Sequence, residues 1–142
     1  MIVLAYDHRA FELMKHIKAY FKENKMEYVE FASKDYDPLD SYADFAKQAN
    51  EYILTHNGSI GVYSCRSGIG VDMTANRSKG IRAGLCVNNE FVKLARNDDN
   101  INVLVIPAGF VSKEQAIEMI NTFISTPFEG GRHLPRLKKL DE

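Results

Sequence analysis

The chain has 142 residues, 45% of them hydrophobic and 26% charged, which is typical of one domain over residues 1–142. A formal net charge of −1 provides no attraction for nucleic acid or for an anionic membrane, so we expect neither as a partner. No apolar run approaches the roughly 18 residues of a membrane span. Residues 1–5 enter a strand without a charged leader, so we expect a cytoplasmic protein with free thiols.

Continuous apolar runs and helical spacings alternate along the chain. The runs predict strands over residues 1–6, 26–31, 60–63, 80–87 and 102–106. Between and after them, apolar residues recur every three or four positions and predict helices over residues 11–24, 42–55, 71–76, 91–95 and 113–123. Asn57-Gly58 stops the second helix, and Ser112 caps the last one.

This alternation predicts an α/β fold: a three-layer sandwich around a five-stranded, mainly parallel, Rossmann-like sheet with right-handed crossovers. A strand order of 2-1-3-4-5 is usual at this size. In that order the first and third strands are neighbours at the switch point, where ligands bind outside the carboxyl ends of the strands. Residues that follow those two strands are therefore expected to face each other across one crevice.

The turn after the third strand carries the clearest candidate chemistry. Its sequence, Ser64-Cys65-Arg66-Ser67-Gly68-Ile69-Gly70, combines a thiol, a hydroxyl and two glycines. Glycines allow the backbone to approach a ligand, and the N–H groups that open a helix favour an anion. Cys65 is therefore a candidate base or nucleophile. A lone cysteine is more often buried and inert, which is the role that we assign to Cys86.

Two pairs of polar residues are further candidates. Asp7 and His8 end the first strand and suit a substrate hydroxyl and an anionic group; the alternative is an N-cap and a surface imidazole. Arg132 and Arg136 are four residues apart, so a helix would present both to one phosphate; the alternative is a solvated basic tail. The histidines and cysteines lack ligand spacing, so we predict no metal. The chain has no phosphate-loop lysine motif and no GxGxxG, which argues against nucleotide binding.

Five segments carry a common signature in chain order. They are Asp7-His8; Cys65-Arg66-Ser67-Gly68-Ile69-Gly70; Ala75-Asn76-Arg77 with Gly80-Ile81-Arg82-Ala83; Ala95-Arg96 through Asn102-Val103-Leu104; and Glu129-Gly130-Gly131-Arg132-His133 with Arg136. Together they resemble the ribose-5-phosphate isomerase B and galactose-6-phosphate isomerase family over essentially the whole chain. The resemblance implies that an aldose phosphate and a ketose phosphate interconvert through an enediolate, without metal or cofactor.

The resemblance also implies a role for each site residue. Cys65 would move a proton between C1 and C2, and main-chain N–H groups from Ser67 to Gly70 would stabilise the enediolate oxygen. Ser67 would replace the family's threonine. The substrate-binding residues implied are Asp7 for sugar hydroxyls, with His8, Arg132 and Arg136 for phosphate. The family builds its site across a dimer interface, so a homodimer or a dimer of dimers is implied, with segment 128–142 contributing to the phosphate site or the dimer.

Four positions depart from the family pattern. In the run 96–102, Asp98 replaces the histidine credited with opening the sugar ring, and Asp99 replaces the asparagine after it. The carboxyl group of Asp98 is a candidate to shuttle the proton instead. The family arginine after the fifth strand is Gly109, and the glycine after the cysteine is Arg66. Arg66 either points into the crevice, where it would restore the lost charge or offset Asp98 and Asp99, or points to solvent and compensates nothing.

These departures predict a specificity shifted away from plain ribose 5-phosphate, towards a related pentose or hexose phosphate. Two other functions remain open at this point. One is a non-catalytic subunit or regulator that binds a sugar phosphate, paired with a second chain that supplies the missing histidine and arginine. The other is a flavodoxin-like nucleotide or flavin binder, which the absence of a phosphate loop disfavours.

Overall fold

The computed structural model describes the chain from Met1 to Glu142. The strands are β1 (Ile2–Tyr6), β2 (Tyr28–Phe31), β3 (Ile60–Cys65), β4 (Ala83–Leu85) and β5 (Val103–Pro107). The α-helices are α1 (Phe11–Glu23), α2 (Tyr42–Thr55), α3 (Ile69–Ala75), α4 (Asn89–Asp99), α5 (Lys113–Ser125) and α6 (Leu134–Lys138). Short 3-10 turns span His8–Ala10, Gly131–His133 and Lys139–Asp141. No helix combines the length and the apolar character that crossing a membrane requires.

All five strands are parallel and run in the order β2-β1-β3-β5-β4, which confirms the predicted α/β class. The predicted order 2-1-3-4-5 is wrong in its last two positions, because β5 pairs with β3 and β4 lies at the edge. Every residue of β5 is buried, whereas β4 has only three residues and all are half-buried. A strand that is apolar on both faces belongs in the sheet interior, and a short strand is tolerated at its edge.

Two hydrophobic cores cover the two faces of the sheet. Helices α1, α4 and α5 pack on one face, where 18 buried residues form a single cluster, and α2 and α3 pack on the other around a cluster of 12. The alternation of side chains along the strands assigns Leu4 and Val62 to the first core and Val3 and Tyr63 to the second. The sheet is thus held between helices on both faces. Its carboxyl edge, where the parallel strands end, is the edge at which a ligand site is expected.

The two edges of the sheet carry different segments. Strands β1 and β3 are neighbours, and Tyr6 at the end of β1 pairs with Ser64, one residue before the end of β3, so the turns that follow them share the carboxyl edge. Helix α4 runs back from that edge and ends at Asp99, just before β5 begins at the amino edge. The C-terminal segment stays on the amino edge, because the Glu129 N–H donates to the Asn97 carbonyl at 3.1 Å and Asp141 accepts from the Gly80 N–H at 3.1 Å.

Candidate active site

A crevice of about 510 Å³ opens at the carboxyl edge, where β1, β3 and the loop before α2 meet. Most of its lining is polar. It is lined by Asp7, His8, Arg9, Pro38, Asp40, Ser41, Tyr42, Cys65, Arg66, Ser67 and Gly70. Six of the residues predicted from the sequence therefore meet in one place, as the adjacency of β1 and β3 requires. Gly68 and Ile69 belong to the same turn but lie outside the lining, with Gly68 buried behind it and Ile69 exposed.

Cys65 is the thiol that this crevice presents. It is the last residue of β3 and is 6% exposed, and its carbonyl accepts the Ala108 N–H at 2.9 Å, which fixes the end of the strand. Cys86 lies in the core below, where burial raises its pKa to about 12. A thiol with so high a pKa does not supply a thiolate at neutral pH. The prediction that Cys86 is an inert core residue agrees with this placement.

The turn after Cys65 exposes main-chain donors beside the thiol. Gly68 has a φ of 77°, and a Cβ there would collide with Leu85 and Val105, so only glycine fits. The Ile69 N–H donates to the Ser67 hydroxyl oxygen at 3.2 Å. The N–H groups of Ser67, Gly68 and Gly70 have no acceptor within the chain. The turn therefore offers unused donors of the kind that stabilise a developing oxyanion.

Asp7 caps the turn after β1 and lines the crevice. Its carboxylate accepts the Arg9 N–H at 3.0 Å and so caps the 3-10 turn, and it also lines the crevice. The residue is 6% exposed, and burial raises its pKa above the ordinary value for an aspartate. An ionised carboxylate held at such a site disfavours folding and is available to bind substrate hydroxyls.

We expect Asp7→Asn to raise the melting temperature at pH 7. Asparagine also caps a helical turn, so the contact with Arg9 is kept while the buried charge is removed. Because the pKa of Asp7 is raised in the folded chain, its ionisation costs stability as the pH rises through that pKa, and the cost vanishes below the pKa of the unfolded chain. Melting curves should therefore show a stabilisation of the variant at pH 7 that shrinks as the pH falls through the raised pKa of Asp7 and is absent below about 4. An equal shift at every pH would contradict this explanation.

Asp40 orients His8, and the sequence analysis missed it. The carboxylate oxygen Oδ1 accepts the main-chain N–H of His8 at 2.9 Å and lies 2.9 Å from the ring nitrogen Nδ1. An ionised carboxylate can only accept, so Nδ1 carries the proton and Nε2 remains for a ligand. The predicted topology could have indicated this role of Asp40, because the loop from β2 to α2 leaves the same carboxyl edge as the turns after β1 and β3.

Asp7, His8 and Asp40 are the residues of this crevice that could ligate a cation. One ligand atom each from Asp7, His8 and Asp40 lies within 4.8 Å of the others. Asp40 Oδ1 and His8 Nδ1 are, however, already bonded to each other. A metal would have to displace that contact, so the geometry favours an orienting role for Asp40.

Arg66 lies along the wall of the crevice. Its side chain crosses the main chain of Gly109, and its guanidinium carbon is 5.6 Å from the centre of the Phe110 ring. It lines both the main crevice and an adjoining cavity of about 310 Å³, which it shares with Arg9. Arg66 is an exposed residue, so it lines the crevice while its side chain remains open to solvent.

The remaining predicted residues do not reach this crevice within one chain. The group consists of Asp98, Asp99, Arg132 and Arg136, and all four belong to segments on the amino edge. A six-residue strand such as β3 spans roughly 20 Å, so the two edges are well separated. A site that combines these side chains with Cys65 therefore requires a second subunit, as the resemblance implied. The separation follows from the connectivity of the fold. A crossover helix runs back along the sheet, so its C-terminal end lies at the amino edge, where the next strand starts.

The amino-edge group has its own contacts. His133 is buried, and its Nε2 lies 3.6 Å from Asp98 Oδ1 and 3.3 Å from Glu129 Oε2. Arg132 lies 3.6 Å from Glu129 Oε1 with its side chain 70% exposed. Arg132 belongs to a 3-10 turn that continues directly into α6, and α6 carries Arg136, so the two arginines lie on consecutive helical turns. The exposed arginines remain available to a second molecule.

Comparisons with known proteins find close relatives along the whole chain. A family model described as Ribose/Galactose Isomerase matches residues 2–140. A Mycoplasma pneumoniae protein named "Probable ribose-5-phosphate isomerase B" is 35% identical over 139 residues, covering 98% of this chain and 91% of the relative. The crystal structure of a ribose 5-phosphate isomerase from Thermotoga maritima matches with a TM-score of 0.94 at 38% identity, covering 99% of this chain and 96% of that one. Ribose-5-phosphate isomerase B from Mycoplasma genitalium with bound ribulose-5-phosphate matches with a TM-score of 0.92 at 34% identity, covering 98% and 92%.

Proposed function

The chain belongs to the ribose/galactose isomerase family, and on that premise we propose that it interconverts an aldose phosphate and a ketose phosphate through an enediolate. The substrate pair proposed is ribose 5-phosphate and ribulose 5-phosphate, or a related pentose or hexose phosphate. The observation that carries the proposal is the thiol of Cys65 beside unused main-chain donors in one polar crevice. The ribulose-5-phosphate bound by the Mycoplasma genitalium relative supports the substrate class.

The proposed reaction begins when the Cys65 thiolate removes the proton from C2 of the open-chain aldose. The two electrons of that C–H bond form the C1–C2 double bond, and the C1 carbonyl oxygen takes up the negative charge. Return of the proton from Sγ to C1, with transfer of the O2 proton to O1, gives the ketose. No electron leaves the substrate, so neither metal nor redox cofactor is needed for the balance.

The turn after Cys65 supplies the electrostatic part of this proposal. The N–H groups of Ser67, Gly68 and Gly70 would donate to the oxygen that becomes negative, and one such donor typically contributes 10²- to 10³-fold in rate (order of magnitude). The Ser67 hydroxyl accepts the Ile69 N–H, so its own hydrogen is free to bond the sugar. Asp7 would accept bonds from the sugar hydroxyls, and His8 Nε2 would face the anionic end.

A homodimer with the site at its interface is the assembly that we propose. The outer edge of β4 is unpaired, and α3 and α4 flank it with apolar side chains. These side chains are Ile69 and Met73 of α3, Phe91 and Leu94 of α4, and Val87 of the turn between β4 and α4, each at least 45% exposed. An apolar patch around a free strand edge is typical of a protein interface.

Free thiols at both cysteines fit the cytoplasmic location that we propose for the enzyme.

A two-fold axis perpendicular to the strands would place the carboxyl edge of one subunit's sheet beside the amino edge of the other's. The amino-edge group of one subunit would then approach the carboxyl-edge crevice of the other. In this arrangement Asp98 would shuttle the proton that opens the sugar ring, with His133 beside it, and Asp99 would contact the sugar. Arg132 and Arg136 would close over the phosphate, with a dimer of dimers as the larger possible form.

Solvent exchange tests the proposed function directly. We expect purified protein in deuterated water to introduce deuterium at C1 or C2 of at least one pentose or hexose phosphate, because the thiol exchanges its proton during the reaction. Nuclear magnetic resonance spectra of a panel of aldose and ketose phosphates would show which sugars exchange. Binding of a sugar phosphate without exchange into any member of the panel would instead support the non-catalytic subunit.

A further inference from the structure

We propose that Arg9 and Arg66 bind the phosphate of the substrate in the cavity above Gly109, within the chain that supplies Cys65. The proposal rests on the proposed function for the identity of the anion, and it adds a binding subsite to it. The cavity measures about 310 Å³ and is lined by Arg9, Arg66 and Gly109 alone. Because both arginines also line the main crevice, an anion in this cavity would be continuous with a sugar placed beside the thiol.

Gly109 makes the room that this placement needs. A Cβ at position 109 would lie 2.9 Å from Arg66 Cγ and 3.1 Å from Arg66 Nη1, so any side chain there would displace the guanidinium. The Gly109 N–H donates to the Arg66 carbonyl at 2.9 Å and ties the two turns together. The face of Phe110 supports the guanidinium from one side. Arg66 is exposed and rests against Gly109 and Phe110, and its guanidinium donates to no group of the chain, which leaves its N–H donors for a ligand.

The charges around the cavity favour an anion with more than one negative charge. Neither guanidinium lies within 4.0 Å of a carboxylate oxygen, so neither is neutralised by an ion pair. The two carboxylates of the neighbouring crevice already have partners, since Asp7 accepts the Arg9 N–H and Asp40 bonds to His8. Two guanidinium groups in one cavity repel each other, and a phosphate that accepts bonds from both relieves that repulsion.

The subsite assigns the substrate a direction. Cys65 and the free N–H groups mark the end where C1 and C2 react, and the cavity lies on the Gly109 side of the same crevice. The arginines on the amino edge are absent from this crevice in the same chain. A substrate would therefore be anchored at its phosphate before any group from a second subunit contacts it.

Titration with inorganic phosphate tests the subsite independently of catalysis. We expect Arg66→Gln and Arg9→Gln each to raise the dissociation constant for inorganic phosphate about 10- to 100-fold, the range for a bond to a charged group. The Michaelis constant for an active sugar phosphate should rise similarly, while kcat changes less than about threefold. Arg77→Gln is the matched control, because this exposed arginine lies outside both cavities and its loss changes the net charge equally.

Relocation of the guanidinium provides a second arm. The double variant Arg66→Gly/Gly109→Arg places an arginine in the same space from the opposite turn, and we expect it to recover most of the phosphate affinity that Arg66→Gly loses. Melting curves establish that each variant is folded. Phosphate affinities within twofold of wild type for both single variants would overturn the subsite, as would wild-type protein that binds no phosphate. If the protein binds phosphate through these arginines but exchanges no sugar, the subsite stands and the proposed isomerase fails.

Discussion

Replacement of Cys65 by alanine is expected to lower the rate of isomerisation by about 10³-fold or more, because a general base contributes roughly 10²- to 10⁴-fold. Cys65 supplies the proposed base, and no other thiol lines the crevice. The dissociation constant for the sugar phosphate should change less than about threefold, since a residue that acts on the reacting C–H bond adds little to ground-state binding. Deuterium incorporation at C1 and C2 measures the first effect, and calorimetric titration measures the second.

Cys86→Ala is the matched control for this experiment. Both variants remove one buried thiol, but Cys86 lies in the core and does not line the crevice. We expect it to keep near wild-type activity and to melt at a lower temperature, because its removal leaves a small cavity in the core. Cys65→Ser should be almost as inactive as Cys65→Ala, since a hydroxyl is a far weaker acid than a thiol and is scarcely ionised. Full exchange activity in Cys65→Ala would remove this residue from the role of base.

The placement of Asp7 and Cys65 in one crevice could be predicted from local chemistry and one topological rule. Asp7 and Cys65 end apolar runs, and adjacent parallel strands bring their ends together whatever the order of the remaining strands. The free N–H groups near Gly68 could also be expected, because glycines on a strand-to-helix turn leave the backbone open to a ligand. Such features depend on a few neighbouring residues, and the sequence therefore contains most of the information about them.

The features that the sequence did not predict depend on how distant segments compete or connect. The sequences of β4 and β5 both predict apolar strands. β5 takes the position inside the sheet because all of its residues tolerate burial, and β4 lies at the edge. Asp40 was missed because its role arises only when the loop after β2 folds over His8. The orientation of Arg66 could not be decided either, since it depends on the absence of a side chain 43 positions away at Gly109.

A dimer assembled from two inactive variants is expected to regain about half of the wild-type activity, because one of its two sites is intact. One chain carries Cys65→Ala, and the other carries Asp98→Asn with Arg136→Ala. If each site combines Cys65 of one subunit with the amino-edge group of the other, one site of the mixed dimer has every group and the second lacks them all. Different affinity tags on co-expressed chains isolate the mixed dimer, and its turnover is compared with that of each parent.

The activity of the mixed dimer distinguishes a site that is shared between two subunits from a site that is confined to one chain. Within one subunit, Asp98 and Arg136 lie on the edge of the sheet opposite to Cys65, so a site confined to one chain gives no intact site in the mixed dimer. Activity at the level of the parents would then contradict a shared site. The expected recovery also requires that Asp98→Asn with Arg136→Ala be inactive on its own. Full activity of that variant would show that the thiol, the turn after β3 and the residues around Asp7 are sufficient for the reaction.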